Sequence, residues 1–217
     1  MDRSSPALLL EARAEPLLHG ASNTLQEIHA IVALWTLDLE EQALDPALMQ
    51  PGRTVLPALV RLQQDVIDDL RDLLALHDGT LAVDLRPAAL APIVRAAVSL
   101  LEASTRSGDT VMRVLAPSAL PLVHTDAVRL RRLLAALVFT MLRAWRAAPA
   151  AAGLTLALAV VDNAVVLTLP IPPYTARTLD AWCDPFQEAL LDQLQIRPVV
   201  DDGALAFAIP CAAGAAE

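Results

Sequence analysis

Leu18, Leu25, Val32 and Leu39 recur seven residues apart, and Ala21, Ile28 and Trp35 fill the intermediate positions. A sustained a/d repeat of this kind predicts a long helix whose apolar seam must be covered by a partner helix. His19 lies one residue off the seam, and Asn23 projects from the same side one turn later. An imidazole at the edge of a rigid packed stripe is placed to act as a nucleophile or an acid/base group. Taken alone, such a histidine is more often a tolerated surface residue than a functional one. His29, next to Ile28, is read as a packing or surface residue.

The helical region begins at Ala7-Leu8-Leu9-Leu10, with Pro16 as a kink point, and ends near Leu44. Asp45-Pro46 and Gln50-Pro51-Gly52 mark a turn, and a second helix is expected from about Thr54 to His77. Leu59, Leu62, Val66, Leu73 and Leu76 form its apolar stripe. Asp65, Asp68, Asp69 and Asp72, at spacings of three and four, read as a solvated face rather than a metal or acid/base site. Residues 1–78 therefore form an antiparallel hairpin with one side uncovered. The simplest cover is an identical hairpin, giving a homodimeric four-helix bundle.

Composition narrows the functional classes. The 55% hydrophobic content is ample for a core, and aromatics at 3% favour helices packed through small and medium side chains. No apolar run approaches the roughly 20 residues that span a bilayer, and no signal peptide is recognisable, so no membrane association and a cytoplasmic location are expected. A net charge of -9 opposes nonspecific nucleic-acid binding. Cys183 and Cys211 are too few and too isolated for a metal site or disulfide framework and read as reduced thiols.

From residue 79 to 217 the period changes. Strands are expected at Thr80–Leu85 and Thr110–Leu115, with a helix over Pro87–Thr105 between them. Thr125 or Asp126 caps a helix running to about Arg146. Two strands follow about the turn Asp162-Asn163, then a helix over Thr178–Leu194 and a closing hairpin about Asp201-Asp202-Gly203. This order predicts an α/β sandwich with helices on one face of a mixed sheet, and an α+β chain as a whole. Arg129, Arg131 and Arg132 read as a solvated helix face or a source of internal ion pairs.

Two stretches resemble the two-component histidine kinases. The string H-G-A-S-N-T-L-Q-E-I, continued by V-A-L-W, is similar to the phospho-acceptor box that opens their dimerisation helix. The resemblance implies that His19 accepts a phosphoryl group and that Asn23 stands at the position of the box's Asn or Thr. Gly20 departs from the carboxylate or basic residue that often follows the histidine. The second stretch, L-V-H-T-D-A-V-R-L-R-R-L-L-A-A-L, resembles the opening of the family's ATP-domain helix through Asp126, Arg129 and Leu130. The nucleotide-binding Asn, however, falls on Thr140, and an earlier Asn falls on Ala136. Pro170-Ile171-Pro172-Pro173 stands where the family has an Asp-x-Gly-x-Gly loop. Trp182-Cys183-Asp184-Pro185-Phe186 looks like the phenylalanine box, but no glycine follows before Leu194. Without that aspartate and those glycines, ATP binding in the familial manner is lost.

A kinase-like hairpin that keeps its histidine, joined to a degenerate ATP-binding-like domain, resembles the dimeric histidine phosphotransferases. The resemblance implies a relay of phosphoryl groups between response-regulator receiver domains, with a hybrid histidine kinase as a further partner. His19 would carry the phosphate, Ser22 and Asn23 would stand near it, and Leu17 and Ala21 would dock a receiver. No cofactor is expected, because the receiver supplies the magnesium. The competing reading is a catalytically inactive pseudokinase scaffold that binds and regulates a kinase or response regulator.

Overall fold

The computed structural model describes residues 46–104, 112–146, 154–172, 178–201 and 203–212. His19 and its neighbours Leu17, Ala21, Ser22 and Asn23, together with the heptad helix and its dimer seam, lie outside the described residues. Chain contacts divide the protein into two units, one ending its main span at Leu81 and the other beginning at Ala82.

In the first unit, helix α1 spans Pro46–His77. It starts earlier than the expected Thr54 and runs through Pro51-Gly52, where a turn is expected. Pro46 suits a first helical position, where no amide donor is needed and its φ is already helical. The helix ends in a Schellman cap: Thr80 donates its N–H to the Ala75 carbonyl (2.8 Å) and Gly79 to that of Leu76 (3.2 Å). Gly79 has φ +67, a conformation that disfavours any side chain. The acidic residues of α1 are not uniformly solvated. Asp68 is half-buried and accepts from Arg71 (2.8 Å) and Gln64 (3.2 Å), whereas Asp69 and Asp72 are buried along with Leu73. The three-and-four repeat that carries Leu62, Val66 and Leu73 also carries Asp69 and Asp72, so these two lie on the stripe itself.

The second unit is a two-layer domain. Strand β1 (Arg86–Ala88) pairs antiparallel with β3 (Val123–Thr125) in a small ribbon. A five-stranded mixed sheet contains β2 (Met112–Leu115), β4 (Leu154–Val161), β5 (Ala164–Pro170), β6 (Arg197–Asp201) and β7 (Ala204–Pro210). Its order is β2-β4-β5-β7-β6, with β2 and β4 parallel and the other neighbours antiparallel. The expected mixed sheet is present. The expected strand over Thr80–Leu85 is not: its first residues complete the α1 cap, and pairing starts only at Arg86.

Alternation along the central strands defines the core. Val165, Leu167 and Leu169 of β5, Leu154 and Leu156 of β4, and Leu205 and Ile209 of β7 are fully buried, while their neighbours in sequence are not. Helix α2 (Leu90–Ser104) buries Leu90, Val94, Ala97, Val98 and Leu101, and α3 (Ala127–Arg146) buries Leu130, Leu134, Leu137, Val138 and Met141. Both sets follow i, i+4, i+7, i+8, i+11, the spacing of one apolar helix face.

The expected helix over Thr178–Leu194 is divided into a 3-10 turn, Leu179–Ala181, and α4, Pro185–Gln193. Pro185 ends the upstream pattern and starts the downstream one. Asp184 caps α4 in a capping box: its side chain accepts from the Gln187 N–H (2.9 Å), and Gln187 Oε1 accepts from the Asp184 N–H (3.1 Å). At the other end Ile196 donates to the Leu191 carbonyl (2.9 Å) and Gln195 to that of Asp192 (3.0 Å), a second Schellman cap with buried Ile196 as its apolar residue. Gln195 occupies the left-handed position usually given to glycine, with φ +58. Gln195→Gly is therefore expected to raise stability by about 0.5–1 kcal/mol, read as an increased urea midpoint at unchanged m-value.

Candidate functional site

The residues that the kinase resemblance assigns to nucleotide chemistry fall in the second unit, at the start and in the second half of α3 and at the end of β5. At the start of α3, Asp126 is the N-cap: its carbonyl receives the Leu130 N–H (2.9 Å) and its Oδ1 the Arg129 N–H (3.1 Å). Asp126 Oδ2 accepts from Arg129 Nη1 (2.6 Å) and from the Asp84 N–H (3.3 Å). Burial acts to raise this carboxyl's pKa, but the bonds from Arg129 and Asp84 outweigh it and hold the group below its ordinary value. The Arg cluster is thus an internal ion-pair source at Arg129, whose side chain is 19% exposed, and Arg132 is buried rather than solvated. The chemistry of Asp126 is structural: it fastens the approach to β1 onto the head of α3.

Further along α3, Thr140 is exposed and donates its hydroxyl to the Ala136 carbonyl of its own helix (3.1 Å), with Phe139 exposed beside it. At the end of β5, Ile171 donates its N–H to the Gly203 carbonyl (2.7 Å), and the Pro170 carbonyl accepts from Trp145 Nε1 (3.2 Å). Ile171 and Pro172 are buried. The chain where the family carries its adenine loop is therefore anchored at one side to the β6–β7 turn and at the other to the end of α3. Neither Thr140 nor these apolar residues offers a carboxylate to an exocyclic amine.

Cys183, in the segment like the phenylalanine box, is buried; burial, with the negative charges of Glu188 and Asp184, pushes its thiol up to about 12. It is a packed apolar group rather than a nucleophile. Among the described residues, no group of three or more His, Cys, Asp or Glu side chains is arranged to hold a metal, and no helix is long and apolar enough to cross a membrane. A shallow cleft of about 690 Å³ opens between Asn163, Asp192, Gln195 and Arg197, and a smaller one of about 340 Å³ lies by Pro87, His124 and Cys211. Sequence reading did not mark either; their residues come from four separate elements with no motif among them.

With this geometry in place, the class of the fold is defined by comparison with solved structures. The chain is similar to the histidine kinase AdeS of Acinetobacter baumannii, with a TM-score of 0.52 and 16% identity over 90% of this chain and 98% of that one. The architecture is therefore α+β of the histidine-kinase type. Two further matches are the histidine kinase ThkA in complex with the response regulator protein TrrA (TM-score 0.47, 11% identity, 97% of this chain and 64% of that one) and a bacterial phosphotransferase (TM-score 0.41, 12% identity, 93% and 95%). No protein-family model and no curated protein matches the sequence.

Two tests follow from the site. Asp126→Ala is expected to cost about 2–3 kcal/mol, from the lost cap and the lost charge-assisted bond from Arg129. Because the native carboxyl titrates below its unfolded value of about 3.9, that stabilisation is complete above this pH and is lost as pH falls through the native pKa. Urea denaturation of both proteins from neutral to strongly acidic pH should show the gap closing only at the acid end. In native protein at mildly alkaline pH, an aromatic disulfide reagent should modify half-buried Cys211 well before Cys183, with Cys183 released only on unfolding.

Proposed function

We propose that the chain is a histidine phosphotransferase that relays phosphoryl groups between response-regulator receiver domains through His19. The observation that carries this reading is the string H-G-A-S-N-T-L-Q-E-I within a heptad repeat of the sequence, in a chain whose fold is of the histidine-kinase type. The exchange of nucleotide-contacting residue types for Thr140, Ala136 and Pro170-Ile171-Pro172 agrees with a protein that receives its phosphate from a partner rather than from ATP.

In this reading residues 1–78 form the dimerising hairpin and residues 79–217 the degenerate ATP-binding-like domain. A ring nitrogen of neutral His19 attacks the phosphorus of a receiver aspartyl phosphate in line. The P–O bond to the aspartate breaks, its electron pair leaves on the carboxylate, and the imidazole surrenders its N–H proton to solvent. Magnesium held by the receiver would supply the charge that neutralises the phosphoryl oxygens. The reverse sequence charges a second receiver. Leu17 and Ala21 supply the apolar rim on which a receiver helix docks, and Ser22 and Asn23 offer hydrogen bonds beside the phosphate. Such a relay works in the cytoplasm, where receivers are found.

Gly20 favours a second reading, because a glycine after the histidine removes a group that assists kinase or phosphatase chemistry. There the chain is a regulatory scaffold that binds a receiver or kinase without carrying phosphate.

Kinase-charged receiver domains, incubated with the full chain and magnesium, separate the two. Phosphotransfer predicts an acid-labile label on the wild type and none on His19→Ala, with the mutant's circular dichroism and oligomeric mass unchanged. Receiver binding with no label on either protein would leave the scaffold reading standing instead.

A further inference from the structure

The cap that closes α1 holds a reactive pair. Two Asp-Gly steps occur in the chain, Asp78-Gly79 and Asp202-Gly203. In such a step the amide nitrogen of the glycine can attack the preceding side-chain carboxyl, because no Cβ obstructs its approach. In a folded protein this requires access of water, a carboxyl free to turn, and an amide that can leave its hydrogen bond without wider unfolding.

At the first step these conditions are met. Asp78 and Gly79 are exposed, as are His77 and Thr80 on either side. Among the described residues, none bonds to the Asp78 carboxylate. Beyond the chain neighbours, no atom lies within 4 Å of where a Cβ on Gly79 would stand, so a ring has room to form. The Gly79 N–H reaches the Leu76 carbonyl at 3.2 Å, the longest bond of a cap in which Asp78 donates to Leu74 at 2.9 Å, Thr80 to Ala75 at 2.8 Å and Leu81 to Ala75 at 3.1 Å. The Gly79 amide can therefore be released while Thr80 and Leu81 keep the cap closed. At the second step the turn is tied down: the Gly203 carbonyl accepts from the Ile171 amide at 2.7 Å, and Asp201 pairs with Ala204 across the hairpin. Turning this glycine breaks at least one hydrogen bond that Gly79 does not have.

We propose that Asp78-Gly79 is a site of spontaneous isoaspartate formation. The Gly79 nitrogen bonds to Asp78 Cγ, and its proton leaves with the hydroxyl of the carboxyl group as water, closing a cyclic imide. Water then adds to one of the two imide carbonyls. Opening at Cγ restores aspartate. Opening at the former backbone carbonyl leaves the chain running through the side chain, with a free α-carboxylate beside it. The water lost in the first step is regained in the second, and no other reactant is needed. The product has one methylene more in its backbone. Placed between Asp78 and Gly79, that methylene takes the amides of Thr80 and Leu81 off the Ala75 carbonyl, and the cap of α1 opens.

The proposal is independent of phosphotransfer. The full chain is kept for weeks at physiological temperature and mildly alkaline pH, folded or unfolded in guanidinium, and isoaspartate is read by enzymatic methyl labelling of its α-carboxylate followed by peptide mapping. Folded wild type should gain the label at Asp78 about tenfold faster than at Asp202, the difference that one further hydrogen bond makes. In guanidinium the two positions should converge. Asp78→Glu, whose ring would be one atom larger, should lose the label at this position alone. Asp78→Asn should gain it faster, with ammonia released in place of water. In labelled wild type, amide exchange at Thr80 and Leu81 should speed while that of Ile171 stays slow. Three results overturn the proposal: no label at Asp78 in folded protein when the unfolded chain acquires it, as much label at Asp202 as at Asp78, or unchanged exchange at Thr80 and Leu81 in labelled protein.

Discussion

Strand β5 is the constraint on which the second unit depends. It is paired to β7 along its whole length, from Ala164 to Pro170, and to β4 from Ala164 to Thr168, so most of its backbone polar groups are satisfied within the sheet. Its inward residues Val165, Leu167 and Leu169 are wholly buried. Shifting β5 by one residue against either neighbour would bring Val166 and Thr168 into the core and expel three large apolar groups. The register is thereby fixed, and with it the places where the ends of the strand meet the rest of the domain.

From that fixed strand the surroundings follow in sequence. The Pro170 carbonyl at its end meets Trp145 of α3, and Ile171 meets the turn before β7. The head of α3 is held in turn by Asp126, which collects three donors on one carboxylate. A helix secured at both ends presents Phe139 and Thr140 from a rigid support. What has changed relative to the kinase pattern is the chemistry of the side chains at these positions, while the frame that holds them is of the kinase type.

Much of this frame was legible from local patterns. Asp162-Asn163 and Asp201-Asp202-Gly203 between alternating runs mark both hairpins, and the pair Thr125-Asp126 before an apolar helix marks the cap without deciding which of the two provides it. The misses have separate causes. Pro51-Gly52 read as a turn, yet composition alone does not tell a breaker from a proline near the start of a helix. Thr80–Leu85 alternates as a strand does, but alternation does not provide a partner, and the Gly79 cap uses its first amides. Pro185 inside an apolar run marked a new helix start rather than a tolerated interior position. The burial of Asp69 and Asp72 was hidden because a helix face can carry carboxylates when they find partners. The proposed site rests on a string about His19, which lies outside the described residues. The clefts beside Gln195 gave no sequence signal because four elements contribute one or two residues each.

The Ile171–Gly203 bond has a consequence for exchange with solvent. In a domain that must open and shut around a small molecule, the chain following the central strand has to part from its neighbours on the timescale of turnover. Here that chain is sealed by a buried amide joined to the carbonyl of a turn, between two prolines that have no amides to offer. Breaking the seal exposes an apolar plug and strands a polar pair together, so the amide of Ile171 belongs with the slow, cooperatively protected class rather than with loops that breathe independently.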